Sequence, residues 1–285
     1  TGLQPLGRFD APDDLVATEV KVRSHDGAMV PLSIVHKRSV KPDGGNPTLL
    51  IGYGAYGITY DANFDPVRLA WLEQGGVYAV ANVRGSSAYG EDWYKAGYKL
   101  TKPNTWKDFI ACAEYLIAQK YTSPDRLVIQ GGSAGGLLMG AVTNMRPDLF
   151  KAVISDVPFV DVVNTMLDES LPLTVGEFEE WGNPKKKDEY EYMKTYDPYA
   201  NIAAKDYPAI LVRTSFNDSQ VMYHEPAKYT AKLRAMKTDS NPLLLVTNMG
   251  AGHGGASGRY DRLREIAMGY AFLLWQAGVE GQVTP

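Results

Sequence analysis

Ser133 is the strongest candidate for a reactive residue in this chain, because it lies in a glycine-rich turn between an apolar run and a helical run. The apolar run, Leu127–Gln130, is typical of a strand buried on both faces. Gly131 and Gly135 lie two residues to either side of the serine, where a Cβ would crowd a tight crossing from strand to helix. Such a turn strains the serine backbone and exposes its Oγ, and the following helix directs free amides at the same point. The pattern predicts a nucleophilic serine, in preference to a glycine-rich βα turn without chemistry.

A serine nucleophile needs a general base, and two histidines are candidates. In α/β-hydrolase folds the base follows the serine in the chain, and only His224 and His253 of the four histidines do so. His253 lies in a glycine-rich loop after the apolar run Pro242–Thr247, and loops at strand ends commonly carry functional groups. His224 precedes Glu225 at what reads as a helix start, which favours a surface or capping position. We therefore predict His253 as the base and keep His224 as the alternative.

The base in turn needs an acid that holds its imidazole in the working tautomer. Asp218 lies in a polar loop directly after the apolar run Ala209–Thr214, at the expected place in the chain order. Asp156, at the end of the run Ala152–Ser155, is the alternative. Ser133, Asp218 and His253 together predict a catalytic triad that works through an acyl-enzyme.

The composition of the 285-residue chain is that of an ordinary globular protein, with 45% hydrophobic and 22% charged residues. A net charge of −4 argues against a nucleic-acid surface, and no apolar run is long enough to cross a membrane. The single cysteine, Cys112, excludes an internal disulfide and is compatible with a cytoplasmic location, with the periplasm left open. No Cys/His cluster has metal-ligand spacing. We expect no metal, no nucleic-acid partner and no membrane.

Strand-like and helix-like runs alternate along the chain and must position these residues. We predict strands over Glu19–Val22, Leu32–His36, Thr48–Gly52, Val77–Val83, Leu127–Gln130, Ala152–Ser155, Ala209–Thr214 and Leu243–Thr247, the first two as a hairpin. We predict helices over Pro66–Gln74, Trp106–Lys120, Leu137–Asn144, Pro226–Met236 and Arg259–Trp275. The alternation indicates one α/β domain over residues 1–285, with a doubly wound, mainly parallel sheet and helices on both faces. The strand-free segment Phe159–Ala204, rich in acids and aromatics, is expected to wall the pocket.

The chain also resembles a known family. The segments 131–140 and 146–150 resemble the prolyl oligopeptidase family of serine peptidases, whose catalytic domain has the α/β-hydrolase fold. The segments 157–168 and 176–184 are similar to the oligopeptidase B branch, which cleaves short peptides after Arg or Lys. The likeness runs from about Phe9 to Leu274 and implies no metal or organic cofactor.

The resemblance implies roles for further residues. It gives the same triad, and it makes the hydroxyl of Tyr53 and the backbone N–H of Ala134 the donors of an oxyanion hole. Glu177 and Glu179 match the acids that give the branch its preference for a basic P1 residue, and Asp61 matches an acid of the next subsite. Two departures stand out. Asn63 replaces an acid of that second subsite, and the glycine run usual after Arg84 reads Gly-Ser-Ser in residues 85–87.

Members of this family carry an N-terminal β-propeller that caps the active site, and this sequence begins close to where the propeller ends. We expect a propeller-free catalytic domain, or one whose propeller is a separate segment of a longer protein. The main hypothesis is a serine oligopeptidase domain acting on short peptides. The alternative is a carboxylesterase acting on small esters on the same scaffold. A non-catalytic binding module is disfavoured because all three triad positions are occupied.

Overall fold

Eight strands form one sheet in the computed structural model, which describes residues 12–61 and 63–279. The strands are β1 (Leu15–Arg23), β2 (Met29–Lys37), β3 (Thr48–Gly52), β4 (Val77–Ala81), β5 (Leu127–Gly132), β6 (Ala152–Asp156), β7 (Ala209–Ser215) and β8 (Leu243–Asn248). Their order across the sheet is β1-β2-β4-β3-β5-β6-β7-β8. The first three neighbours, β1, β2 and β4, pair antiparallel, and every later pairing is parallel. The predicted hairpin and the mainly parallel sheet are therefore confirmed.

Two hydrophobic cores cover the two faces of the sheet. Val128 and Ile129 are adjacent on β5 and both fully buried, yet they belong to different cores, because successive side chains of a strand point to opposite faces. This is why the central strands read as continuous apolar runs rather than as alternating ones.

Helices fill both faces, as the α/β-hydrolase prediction requires. They are α1 (Leu69–Leu72), α2 (Glu91–Lys95), α3 (Pro103–Ala118), α4 (Ala134–Met145), α5 (Val162–Leu167), α6 (Thr174–Trp181), α7 (Lys187–Tyr196), α8 (His224–Met236) and α9 (Arg259–Gln276). Residues of α3, α4 and α8 belong to one core, and residues of α1 and α9 to the other. None of the described helices is both long enough and apolar enough to cross a membrane.

The observed helix bounds differ from the predicted ones by a few residues, and in two helices a local reason is clear. The predicted helix Pro66–Gln74 is a 3₁₀ turn over Pro66–Arg68 followed by the short α1, and the side chain of Asp65 caps the turn. Helix α3 begins at Pro103, three residues earlier than predicted, since proline is well suited to the first helical position.

The segment Phe159–Ala204, predicted to lack strands, lies at the carboxyl ends of the parallel strands. Between β6 and β7 the described chain contains helices α5, α6 and α7. Side chains of α5 and α6 meet the β5–α4 turn around the cleft described below, as expected for open α/β sheets.

Candidate active site

The turn between β5 and α4 holds Ser133 in a strained backbone conformation. Its φ is +56° and its ψ is −118°, outside the regions that L-residues ordinarily occupy. A Cβ on Gly131 would lie 2.4 Å from the carbonyl oxygen of Gly135, so only glycine allows the turn to close this tightly. Ser133 is the N-cap of α4 and lines the cleft. This is the geometry of a nucleophile elbow.

A second strained residue adjoins the serine. Val157 has a φ of +39°, which is rare for a β-branched residue, and its N–H donates to the Arg213 carbonyl over 2.7 Å. The carbonyl of Asp156 accepts the Ser133 N–H at 2.8 Å, and the carbonyl of Ser133 accepts the Phe159 N–H at 3.1 Å. The strain is thus held by hydrogen bonds on both sides, and nothing in the sequence predicts it.

Asp218 and His253 form a hydrogen-bonded pair. His253 Nδ1 lies 2.8 Å from Oδ2 and 3.0 Å from Oδ1 of Asp218, whose side chain is fully buried. Oδ1 also accepts the N–H groups of Gln220 and Val221 at 2.9 and 3.0 Å. Burial raises the pKa of Asp218, but these hydrogen bonds outweigh it and keep the pKa below its ordinary value. The carboxylate is therefore ionised at neutral pH and fixes the orientation of the imidazole.

The link from serine to histidine is not closed in this conformation. Among the described side-chain hydrogen bonds there is none between Ser133 and His253, and His253 lines a neighbouring cavity bounded by β7, β8 and α9. The histidine belongs to a loop with glycines at positions 250, 252, 254 and 255. Catalytic hydrogen bonds are often long without substrate, so the geometry is compatible with closure on binding.

The two alternatives from the sequence are engaged elsewhere. Asp156 accepts Arg213 Nε at 2.5 Å and Arg213 Nη2 at 2.8 Å, and it also accepts Gln130 Nε2 at 2.8 Å. His224 is exposed at the first residue of α8. Neither is placed to act with Ser133.

Tyr53 and Ala134 lie beside the serine in the cleft. Burial raises the pKa of the Tyr53 phenol to about 12, although its interaction with the Ser133 side chain acts in the opposite direction. The hydroxyl thus keeps its proton at neutral pH. Ala134 is the first residue of α4, where a backbone N–H has no acceptor within the helix. Both groups can donate to an oxygen bound next to Ser133 Oγ.

The cleft itself is a cavity of about 130 Å³ with one carboxylate in its lining, that of Glu177. Oε2 of Glu177 accepts the Tyr56 hydroxyl at 2.5 Å and Trp181 Nε1 at 2.8 Å. Tyr56 and Trp181 are functional candidates that our sequence reasoning missed. Glu177 and Trp181 are four residues apart, the spacing that places two side chains on one helix face, so the pair could have been found.

The other two predicted acids lie elsewhere. Glu179 is 90% exposed, 3.5 Å from Lys99, and is not part of the cleft lining. Asp61 is exposed and also lies outside that lining. Glu180, by contrast, is buried and accepts the backbone N–H of Tyr56 at 2.9 Å and the hydroxyl of Tyr94. The structure therefore brings one of the two predicted P1 acids to the cleft.

A buried carboxylate supports the helix on the far side of the cleft. Glu225 accepts the N–H groups of Val160 and Asp161 at 2.6 and 2.8 Å, and the hydroxyl of Thr165 at 2.7 Å. Thr165 lies on α5 and lines the cleft. Burial raises the pKa of Glu225 to about 7, although these hydrogen bonds act against the rise.

This raised pKa predicts a pH-dependent stability. Stabilisation by the protonated carboxyl is complete below the unfolded-state pKa of 4.5 and is lost as the pH rises through 7. We expect the free energy of unfolding of Glu225→Gln, relative to that of the wild type, to increase by roughly 2 kcal/mol as the pH is raised from 5 to 8. The measurement is the melting temperature of both proteins across that range. The exposed Glu191→Gln is the control, and a pH-independent difference between Glu225→Gln and wild type would contradict the prediction.

No described group of three or more His, Cys, Asp or Glu side chains is arranged to hold a metal ion. What the arrangement offers instead is a strained serine, a histidine–carboxylate pair, two hydrogen-bond donors and a carboxylate in the adjoining cleft.

The sequence of this chain is similar to those of known proteins. The family model "Prolyl oligopeptidase family" matches residues 62–280. Protease 2 of Moraxella lacunata is 53% identical over 90% of this chain, and dipeptidyl aminopeptidase BI of Pseudoxanthomonas mexicana is 47% identical over 97%. The chain spans 37% and 38% of the length of these two relatives.

The structure of this chain is also similar to solved structures. Oligopeptidase B from Leishmania major matches with a TM-score of 0.94 and 44% identity, over 97% of this chain and 38% of that one. Oligopeptidase B from Trypanosoma brucei, with covalently bound antipain in a closed form, matches with a TM-score of 0.92 and 46% identity, over 95% of this chain and 38% of that one. The chain belongs to the prolyl oligopeptidase family.

Proposed function

We propose that this chain is the catalytic domain of a serine peptidase that hydrolyses short peptides after Arg or Lys. The observation that carries the proposal is the carboxylate of Glu177, held half-buried in the cleft that Ser133 lines. The peptidases and oligopeptidase B structures among its relatives support the reaction class. The relatives are longer than this chain, and we propose that a propeller segment of a longer protein would cover the cleft and limit peptide size.

The proposed reaction proceeds through an acyl-enzyme. His253 Nε2 takes the proton of the Ser133 hydroxyl while Oγ attacks the scissile carbonyl, and Asp218 stabilises the resulting imidazolium. The Tyr53 hydroxyl and the Ala134 N–H donate to the oxyanion of the tetrahedral intermediate. The C–N bond then breaks and the leaving amine takes the proton from His253. Water, deprotonated by His253, attacks the acyl carbon. The bond between that carbon and Ser133 Oγ then breaks, His253 returns the proton to Oγ, and the peptide leaves with a new carboxyl group.

The charge and hydrogen bonds of Glu177 account for the proposed preference. Its Oε2 is occupied by Tyr56 and Trp181, which leaves Oε1 for a substrate cation. Both fixed partners are neutral donors, so neither competes with a substrate cation for the carboxylate. A guanidinium or ammonium in the cleft would form a charge-assisted hydrogen bond with a carboxylate that is already oriented. Glu179, which is exposed and near Lys99, would contribute only through a screened surface charge.

Two matched variants test this assignment. We expect Glu177→Gln to lower kcat/KM for an Arg-P1 peptide amide by about 100-fold, because a buried charge pair is lost, and Glu179→Gln to lower it less than threefold. Turnover of a neutral p-nitrophenyl ester should change little in either variant. The measurement is steady-state kinetics of both substrates on the wild type and on the two variants.

The same assay distinguishes the esterase alternative. A chain that turns over only the ester, with no effect of Glu177→Gln, would be a carboxylesterase on this scaffold. Equal losses of amide cleavage in the two variants would refute the assignment of the P1 carboxylate to Glu177 alone.

A further inference from the structure

We infer that Lys102 is a positioning residue that sets where the Tyr53 hydroxyl points, by holding the backbone of the loop that carries it. The inference rests on the proposed function, in which that hydroxyl binds the oxyanion. Lys102 lies outside the cleft lining and touches no substrate in this scheme.

The ammonium group of Lys102 is fixed beneath the loop of residues 52–57. The side chain is 1% exposed, and Nζ donates to the carbonyl oxygens of Gly54 and, at 3.1 Å, Gly97. Gly54 directly follows Tyr53 in the chain. The ammonium also lies 5.0 Å from the ring centroid of Trp181, whose Nε1 donates to Glu177. One buried cation thus contacts both the oxyanion loop and the wall of the cleft.

The two carbonyls can converge on Lys102 only because the surrounding backbones approach unusually closely. A Cβ on Gly85 would lie 2.1 Å from the Gly54 oxygen and 3.1 Å from the Gly97 oxygen. A Cβ on Gly97 would lie 2.4 Å from the backbone nitrogen of Gly85. A Cβ on Gly54 would meet the side chains of Thr105 and Val83 at 2.4 and 2.9 Å. Residues 54, 85 and 97, which we call the glycine cradle, therefore leave no room for a side chain at any of the three positions. Because these backbones are so close together, the Gly54 carbonyl has little freedom to move.

Side chains of opposite charge hold this short loop at residues 54 and 56. Lys102 binds the carbonyl of Gly54, and Glu180 accepts the N–H of Tyr56 at 2.9 Å. Burial lowers the pKa of Lys102 to about 8, against the charge of Glu180, which raises it. An ammonium buried against neutral carbonyls and aromatic rings is costly compared with an apolar side chain of similar length. The arrangement is better explained by the orientation it imposes on residues 53–56 than by stability.

This orientation matters because an oxyanion donor must sit within hydrogen-bonding distance of an atom that exists only in the transition state. A displacement of about 1 Å is enough to reduce the rate by about 100-fold. A positioning role through Tyr53 should therefore appear in kcat and leave ground-state binding nearly unchanged.

The test is Lys102→Met, which keeps an unbranched apolar stem one atom shorter and removes the donors. With a p-nitrophenyl ester, we expect kcat to fall about 30-fold and KM to change less than twofold. Lys95→Met is the matched control, since Lys95 is exposed on α2 and pairs with Glu91, and it should behave as wild type. Lys102→Gln, which keeps one shorter donor, is a second variant if Lys102→Met does not fold, with an expected loss in kcat of about fivefold at unchanged KM.

A double-mutant cycle with Tyr53→Phe separates positioning from general disruption. If Lys102 acts through the Tyr53 hydroxyl, Lys102→Met should lower kcat less than threefold once that hydroxyl is gone. An equal loss in both backgrounds, or a wild-type kcat in Lys102→Met, would overturn the inference while leaving the proposed function intact. A wild-type chain without ester turnover would overturn the proposed function and the inference together.

Discussion

Replacing Ser133 by alanine is expected to lower kcat by about 10⁵-fold for both an Arg-P1 peptide amide and a p-nitrophenyl ester. The loss is this large because the substitution removes the atom that forms the acyl bond, while the donors of Tyr53 and Ala134 and the carboxylate of Glu177 stay in place. The residual rate should come from those groups acting on bound water. Substrate binding, measured as KM or as inhibition by the uncleaved peptide, should change little.

Ser155→Ala is the matched control for this variant. Ser155 is buried on β6, two residues before the strained Val157, and its hydroxyl is among the described buried side-chain atoms without a hydrogen-bond partner. Its removal should leave kcat unchanged. Covalent labelling by a fluorophosphonate should occur in the wild type and in Ser155→Ala but not in Ser133→Ala. Turnover or labelling that survives in Ser133→Ala would contradict the assignment of the nucleophile.

Asp218→Asn is expected to lower kcat by about 10⁴-fold without unfolding the protein. Oδ1 of Asp218 accepts two backbone N–H groups, so the amide oxygen of an asparagine should take that position. Its NH₂ group would then replace Oδ2, 2.8 Å from Nδ1 of His253, and would donate to it. His253 would carry its proton on Nε2, the tautomer that cannot accept the proton of Ser133.

The measurement for Asp218→Asn is kcat on the ester together with the melting temperature. Asp156→Asn is the control, because Asp156 was the alternative acid but pairs with Arg213 instead. We expect Asp156→Asn to lower the melting temperature and keep kcat within about tenfold of wild type, since one partner of a half-buried pair is lost. Equal losses of kcat in the two variants would mean that the Asp218 carboxylate does not set the tautomer of His253.

The architecture and the principal residues could be predicted because their signals are local. The motif of the elbow around Ser133 spans five consecutive residues, and Asp218 and His253 each follow a clear apolar strand. Parallel strands end at one edge of a sheet, so three strand-end residues in the right chain order were expected to meet there. The pairing of Asp218 with His253 agrees with that expectation, whereas the roles of all three residues stay predictions.

What the sequence could not supply depends on helix phase and on contacts between distant segments. The resemblance gives Glu177 and Glu179 the same role, but side chains two positions apart on a helix point about 200° from each other, and only Glu177 faces the cleft. The Lys102 contact to Gly54 joins positions 48 residues apart. The positive φ of Val157 is accompanied by a hydrogen bond from its N–H to the carbonyl of Arg213 on β7, and no local sequence pattern predicts it.

The glycine cradle has a consequence for how this fold can be altered. Three loops, over residues 52–57, 84–90 and 97–102, meet at backbone distances that exclude even a methyl group. None of them can be exchanged by itself, because a loop from another sequence would have to reproduce the backbone path of its two neighbours. Chimeras that transfer all three segments together should fold and keep their oxyanion donor. Helix α6 contributes Glu180 and Trp181 to the contacts of the 52–57 loop and of Lys102, so it is tied to the cradle as well. Variation of substrate preference is therefore easiest at Thr165 and Met166 of α5, which line the cleft.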